Sequence, residues 1–145
     1  MLDNQTVRMI VRTTVGGEQF RLEFASRNGA QPVRFGTVHA ALANADGSIV
    51  AGSDRVVTFG GSEELDLLPG ARVVSDHVDL PVGPLTHVAV SVYLPDATPT
   101  ETVDGIGLMP TFIAQGDQAG SPALPDPVMA ASYFWLRGLS VPAPA

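Results

Sequence analysis

The feature that most constrains this chain is its division by glycine and proline into short β-prone runs. Among 145 residues there are 15 glycines and 12 prolines, and they separate runs rich in Val, Thr, Ile, Leu and Phe. Glycine and proline mark turns, whereas β-branched and aromatic residues favour strands. No segment sustains the 3.6-residue apolar period of a helix, and the Ala-rich piece 40–45 ends at Asp46-Gly47. The sequence therefore predicts many short strands and little helix.

Two neighbouring segments show the alternation of strands most clearly. Residues 6–15 place apolar side chains on one face and two arginines, Arg8 and Arg12, on the other. Gly16-Gly17 follows, and residues 20–24 alternate Phe, Leu and Phe with charged side chains. Because paired glycines can adopt the positive φ of tight turns, we expect these segments to form a β-hairpin.

The remaining strands are expected at 33–42, 56–59, 65–67, 72–78, 87–94, 108–114 and 133–141, and a further strand is expected to begin at 49–51. Residues 87–94 have the best pattern and are typical of a central strand. Turns are expected at 27–29, 44–47, 60–61 and 68–70, and surface loops at 95–104 and 115–127. About nine short strands at this spacing predict an all-β fold, an antiparallel β-sandwich that is jelly-roll-like or another Greek key.

Size and composition limit the classes of protein to which the chain could belong. Its length fits one domain, and 45% hydrophobic with 16% charged residues is too apolar for disorder. No apolar run approaches the roughly 18 residues of a membrane span. A net charge of -7 with dispersed arginines argues against nucleic-acid binding. The first residues lack the pattern of a signal peptide, and the absence of cysteine removes disulfides and thiolate sites.

A search for catalytic and metal-binding motifs gives no candidate. Neither Gly-x-Ser-x-Gly nor Gly-Asp-Ser occurs, so no nucleophile is assigned. The three histidines, His39, His77 and His87, lie on separate segments without metal-ligand spacing. The acidic run 63–66 is better explained as a solvated face than as a calcium site. We expect no catalytic residue, metal or cofactor in this chain.

The aromatic run Tyr133-Phe134-Trp135 is open to two interpretations. In a regular strand Phe134 would face away from Tyr133 and Trp135, so one side would enter the core. The other side could stack on a sugar or contact a partner protein, since Tyr and Trp combine apolar area with a polar tip. Burial of these residues beneath the preceding loop is the alternative.

Five segments, in order, resemble the β-sandwich domain that precedes the catalytic domain in bacterial SGNH/GDSL-family esterases. They are DNQTVRMIVRTTVGGEQFRLEFASRNG (3–29), VHAALANADGSIVAGSDRVVTFGG (38–61), LLPGARVVSDHVDLPV (67–82), HVAVSVYLP (87–95) and SYFWLRGLSV (132–141). Their order makes the resemblance specific, together with Arg-x-x-Val-Arg before Gly-Gly and Gly-Ser-Asp-Arg before Thr-Phe-Gly-Gly. The resemblance covers nearly the whole chain.

This resemblance implies that residues 1–141 are a β-sandwich accessory domain and that 142–145 are a Pro/Ala linker towards a catalytic domain of the same polypeptide. The family's nucleophile, oxyanion-hole residues and catalytic histidine and aspartate all lie in that second domain. The whole protein would be a serine esterase, a lipase or acylhydrolase, and would be extracytoplasmic. Relatives often carry a histidine near the position of Asp104, where this chain departs from the pattern.

Three hypotheses of function follow from the sequence. The first is a non-catalytic accessory domain that packs on an SGNH/GDSL hydrolase and shapes access of its ester or polysaccharide-ester substrate. The second is a carbohydrate-binding β-sandwich module, and the third is an interaction module that pairs with itself. The candidate substrate-binding or domain-interface residues are Asp104, Met109, Phe112, Tyr133 and Trp135.

Overall fold

The computed structural model describes residues 2–26, 31–99 and 109–142 and, by backbone alone, residues 102–103. This part of the chain contains β-strands and no helix, so it has no helix that could cross a membrane. The strands are β1 (Gln5–Arg12), β2 (Arg21–Ala25), β3 (Val33–Phe35), β4 (Thr37–Leu42), β5 (Arg55–Val56), β6 (Leu65–Leu67), β7 (Arg72–Val74), β8 (His87–Leu94), β9 (Thr102–Val103), β10 (Thr111–Gln115), β11 (Val128–Ala130), β12 (Tyr133–Phe134) and β13 (Leu136–Ser140).

The strands form two antiparallel layers that pack face to face, as the sequence predicts. One layer is a six-stranded sheet in the order β11-β10-β1-β8-β4-β5, and the other contains the sheet β13-β2-β7. Two short pairs, β3-β6 and β12-β9, complete the structure. Apolar side chains from both layers form one core. β2 contributes Leu22 and Phe24 to it, and Phe20, just before the strand, is also fully buried. The fold is an antiparallel β-sandwich.

The central pair of the large sheet is β1 and β8, and β8 has the bounds that its sequence pattern predicts. Val7 and Met9 lie opposite Val92 and Val90, and this face enters the core. The opposite face is also shielded from solvent, since Arg8, Ile10 and Ser91 are buried. A strand whose two faces are both covered is typical of the middle of a sheet.

The hairpin expected between β1 and β2 is wrong. The two strands lie in different sheets, and Gly17 bridges instead to Val82. Neither Gly16 nor Gly17 has a positive φ. Close packing explains both glycines, because a Cβ at residue 16 would lie 2.8 Å from the Val82 carbonyl oxygen and a Cβ at 17 would lie 2.3 Å from Val141 Cγ1.

The single strand expected at 33–42 is divided at Gly36. The first part, β3, pairs with β6, whereas the second part, β4, joins the six-stranded sheet beside β8. A Cβ at residue 36 would lie 3.0 Å from the Tyr93 ring, so glycine permits the change of sheet where the chain passes this residue. The strands expected at 56–59, 72–78 and 108–114 are shorter or displaced, and β9 lies inside the expected loop 95–104.

The turns expected at 44–47, 60–61 and 68–70 are confirmed, with positive φ at Gly47, Gly60, Gly61 and Gly70. Ser62 and Phe59 exchange two backbone hydrogen bonds around the Gly60-Gly61 turn, the pattern of a two-residue hairpin. The turn expected at 27–29 lies outside the described residues.

Substitution of Gly47 should show how tightly the turn at 44–47 packs on the Phe112 ring. Its φ is +85°, and a Cβ there would lie 2.5 Å from Phe112 Cε2. Gly47→Ala should therefore combine left-handed strain with overpacking and lower the free energy of unfolding by about 3 kcal/mol. Urea unfolding measures this change.

Gly52→Ala is the matched control. Gly52 has a similar φ of +81° with nothing within 4 Å of an added Cβ, so strain alone should cost about 1 kcal/mol. Equal losses in the two variants would contradict the close contact with Phe112.

Candidate functional site

A cavity of about 360 Å³ opens at the edge of the sandwich where the pairing of β10 with β1 ends. β10 accompanies β1 from Gln5 to Arg8, and the cavity lies beside the residues that follow. Its walls come from the end of β1, the start of β8, Met109, β12 and β13. We call it the edge cavity.

Two of the residues singled out in the sequence, Met109 and Tyr133, line the edge cavity together. The Tyr133 hydroxyl donates a hydrogen bond to the backbone oxygen of Ile10. Beyond Arg8, where β10 no longer pairs with β1, a side chain therefore supplies the donor for this oxygen. Burial raises the pKa of Tyr133. The phenol therefore remains a neutral donor, and its ring forms a fixed wall of the cavity.

Two basic side chains that the sequence search did not select, Arg12 and His87, also line the edge cavity. They are directly opposite each other on β1 and β8, so they share one face of the sheet. In the part of the chain that the structure describes, neither side chain makes a hydrogen bond or an ion pair. Alternation along β1 could have indicated the face of Arg12, but no local signal indicates that β8 pairs with β1.

Phe112 and Trp135 do not line this cavity. Phe112 lies on β10 opposite Arg8, and its ring packs on the turn at Gly47. Asp104 lies outside the described residues, so its position near the site stays a prediction.

Trp135 is in the core, and the expected alternation of the aromatic run is wrong. Its φ of +60° interrupts the strand between β12 and β13. Phe134 and Trp135 are both buried as a result. The Trp135 ring packs edge-on against the Phe35 ring, with 6.0 Å between the ring centroids. With 1% of its surface exposed, Trp135 cannot stack on a sugar.

One histidine forms a contact of the kind found in catalytic relays. His39 Nδ1 lies 2.9 Å from both carboxylate oxygens of Asp54. The serine opposite His39 on β8 is Ser91, which is 2% exposed and accepts a hydrogen bond from Arg8 Nε at 2.8 Å. A nucleophile needs a hydrogen bond to its base and access to substrate, and Ser91 has neither.

Arg8 holds a loop over the outer face of the six-stranded sheet. We call residues 116–124 the cover loop. All five N–H donors of the buried guanidinium are used: Nε binds Ser91, and the two terminal nitrogens bind backbone oxygens of Gly47, Ala119, Ser121 and Pro122. Burial lowers the pKa of Arg8, and the negative charge of Asp54 opposes this shift.

The backbone N–H groups of Gly60 and Gly61 form an anion site that a side chain of the chain itself fills. The Asp76 carboxylate accepts hydrogen bonds from the N–H groups of Gly60 and Gly61 and from the Thr58 hydroxyl. These bonds, chiefly the one from Thr58, lower the pKa of Asp76. An internal carboxylate thus fills the position where an external anion would bind.

The described residues contain no group of three or more His, Asp or Glu side chains arranged to hold a metal ion. Fold and site together define an antiparallel β-sandwich with a mixed basic and apolar cavity at one edge. No family model matches the chain, and no curated protein matches it either.

Arg8→Met should destabilise the domain by about 3 kcal/mol, because backbone oxygens of the cover loop would lose their buried donor. Amide hydrogen exchange should accelerate at residues 116–121 of the cover loop more than in β8. Urea unfolding and exchange monitored by NMR measure the two effects.

Arg34→Met is the control for Arg8→Met. Arg34 forms exposed ion pairs with Glu64 and Asp66, so its loss should change stability by less than about 0.5 kcal/mol. Similar losses in both variants would show that the buried hydrogen bonds of Arg8 do not hold the cover loop.

Asp76→Asn should lower the melting temperature at pH 7 by removing a charged acceptor. Because the pKa of Asp76 is lowered in the folded state, the carboxylate stabilises the fold above its unfolded pKa of about 3.9 and loses this effect as the pH falls through the folded value. The gap between wild type and Asp76→Asn should therefore narrow towards pH 3. Thermal unfolding at both pH values, with exposed Asp66→Asn as control, checks this; a constant gap would contradict it.

Proposed function

We propose that this chain is a non-catalytic accessory domain of an SGNH/GDSL-type ester hydrolase. It packs on the catalytic domain of the same polypeptide, in an extracytoplasmic compartment, and shapes access of the substrate. The observation that carries the proposal is the edge cavity, because it brings together Met109 and Tyr133 from separate segments. The order of the five family-like segments along the chain supports the same function.

An exposed apolar edge strand supplies a surface for the catalytic domain. β11 is the outermost strand of the six-stranded sheet beside β10, and its Val128 and Met129 are 68% and 62% exposed. Exposed apolar residues on an edge strand favour association and are usually protected in free-standing domains. β10 and β11 extend the sheet on the side of β1 opposite β8, and the edge cavity begins where the pairing of β10 with β1 ends. In this proposal the catalytic domain lies on that side of the sheet.

The arrangement of polar groups supports a role without catalysis. His39 and Asp54 form the relay-like pair, but the buried Ser91 hydroxyl is held by Arg8 instead of by His39. The carbohydrate-binding alternative depended on Tyr133 and Trp135 as a stacking platform. The burial of Trp135 removes half of that platform, which favours the accessory role.

The isolated chain should hydrolyse short-acyl p-nitrophenyl esters only at the background rate. Turnover that a serine-directed inhibitor abolishes would contradict the proposal.

An antibody against the chain should also recover, from the source cells, a polypeptide well above 15.1 kDa that contains Gly-Asp-Ser. Recovery of a polypeptide of the chain's own mass would overturn the proposal.

Within that polypeptide, Met129→Asp should lower kcat/KM on ester substrates by about tenfold, since it would place a charge in the domain interface. Leu68→Asp is the matched control, because Leu68 is similarly exposed at 56% but lies in the turn that follows β6. Equal activity of the two variants would show that β11 is not the interface.

A further inference from the structure

We propose that the edge cavity binds a carboxylate that carries a small apolar group. Arg12 and His87 would hold the carboxylate, and Val11, Met109 and Leu139 would contact the apolar group. The proposal rests on this cavity alone and does not depend on the role of the chain in an esterase.

Four arginines of this chain have internal partners, whereas Arg12 has none among the described residues. Arg34 and Arg72 have carboxylate partners, and Arg8 and Arg55 donate to backbone oxygens. Among the described residues Arg12 has no such partner, although the chain carries a net charge of -7. A cationic side chain that lines a cavity without an internal anion is available to an external one.

The register of the central strands places the two basic groups side by side on one face of the sheet. Arg12 and His87 are directly opposite, which sets their Cβ atoms about 5 Å apart. A planar guanidinium can donate two parallel hydrogen bonds to a carboxylate, and an imidazole donates one in either protonation state. The exposed Thr14 at the same cavity adds a hydroxyl.

The rest of the cavity selects for an apolar body. Val11 and Leu139 are half-buried residues that pack against the core, and Met109 is also half-buried. The Tyr133 hydroxyl is already bonded to Ile10, so its ring presents an apolar surface. A volume of about 360 Å³ lies at the lower end of the roughly 300–1,000 Å³ of small-molecule sites, which fits a short acyl chain or one aromatic ring.

A carboxylic acid of this kind is the product of ester hydrolysis. If the chain serves an esterase, the cavity would bind the acid that the neighbouring domain releases. The binding measurement below uses the isolated chain, so its result and the result for esterase association are independent.

The test is a titration of the ¹⁵N-labelled chain with hexanoate and with benzoate, followed by NMR chemical shifts. Both should shift the amide signals of residues 11–14, 87 and 138–139. Arg12→Gln should raise the Kd about tenfold or more, because it removes the charge-assisted hydrogen bonds. Arg21→Gln is the matched control, since Arg21 is exposed on β2 and does not line the cavity.

Two further probes separate the parts of the proposal. Acetate, which lacks the apolar body, and hexanol, which lacks the charge, should each bind at least about tenfold more weakly than hexanoate. Arg12→Lys should bind hexanoate with a Kd between those of wild type and Arg12→Gln, because lysine keeps the charge but cannot donate two parallel hydrogen bonds. No shifts with either carboxylate, equal weakening by Arg21→Gln, or equal binding of inorganic phosphate would overturn the proposal.

Discussion

The hydrogen bonds of one buried guanidinium join distant parts of this sandwich. Arg8 stands in the middle of the central strand β1, and its donors reach the turn at Gly47, the cover loop and Ser91 on β8. An unpaired buried cation is costly, and here the cost is offset because every N–H has an acceptor. The outer face of the large sheet can therefore be covered by irregular chain rather than by another layer of secondary structure.

The outer face of the six-stranded sheet also holds polar groups that serve the structure and do not form a ligand site. Thr6 Oγ1 donates to the Gly116 backbone oxygen and accepts from Gln118 N–H, which fixes the start of the cover loop. His39 and Asp54 lie in the same region, and Ser91 is committed to Arg8. The polar residues beneath the loop thus bind one another or the backbone, whereas the basic residues of the edge cavity remain accessible. This difference in partners separates structural polar groups from candidate ligand contacts.

The edge cavity depends on a local departure from regular strand geometry. The positive φ of Trp135 sends this side chain into the core and leaves Tyr133 beside the end of β1. A continuous strand over 133–141 would alternate these rings and would not produce this wall. Backbone strain at a non-glycine residue persists only where packing compensates for it, and here the compensation is the burial of the indole between aromatic neighbours.

The sequence by itself determined the class of fold, the central strand 87–94, the buried face of residues 20–24 and the glycine turns at 47, 60, 61 and 70. These features follow from two-residue alternation and from φ preferences, which are local properties of the chain. Only the tertiary structure decided which strands are neighbours, the separation of β1 from β2, the break at Gly36, the burial of Trp135 and the meeting of Arg12 with His87. Each of these depends on contacts between residues far apart in the sequence, where local alternation carries no information about the partner.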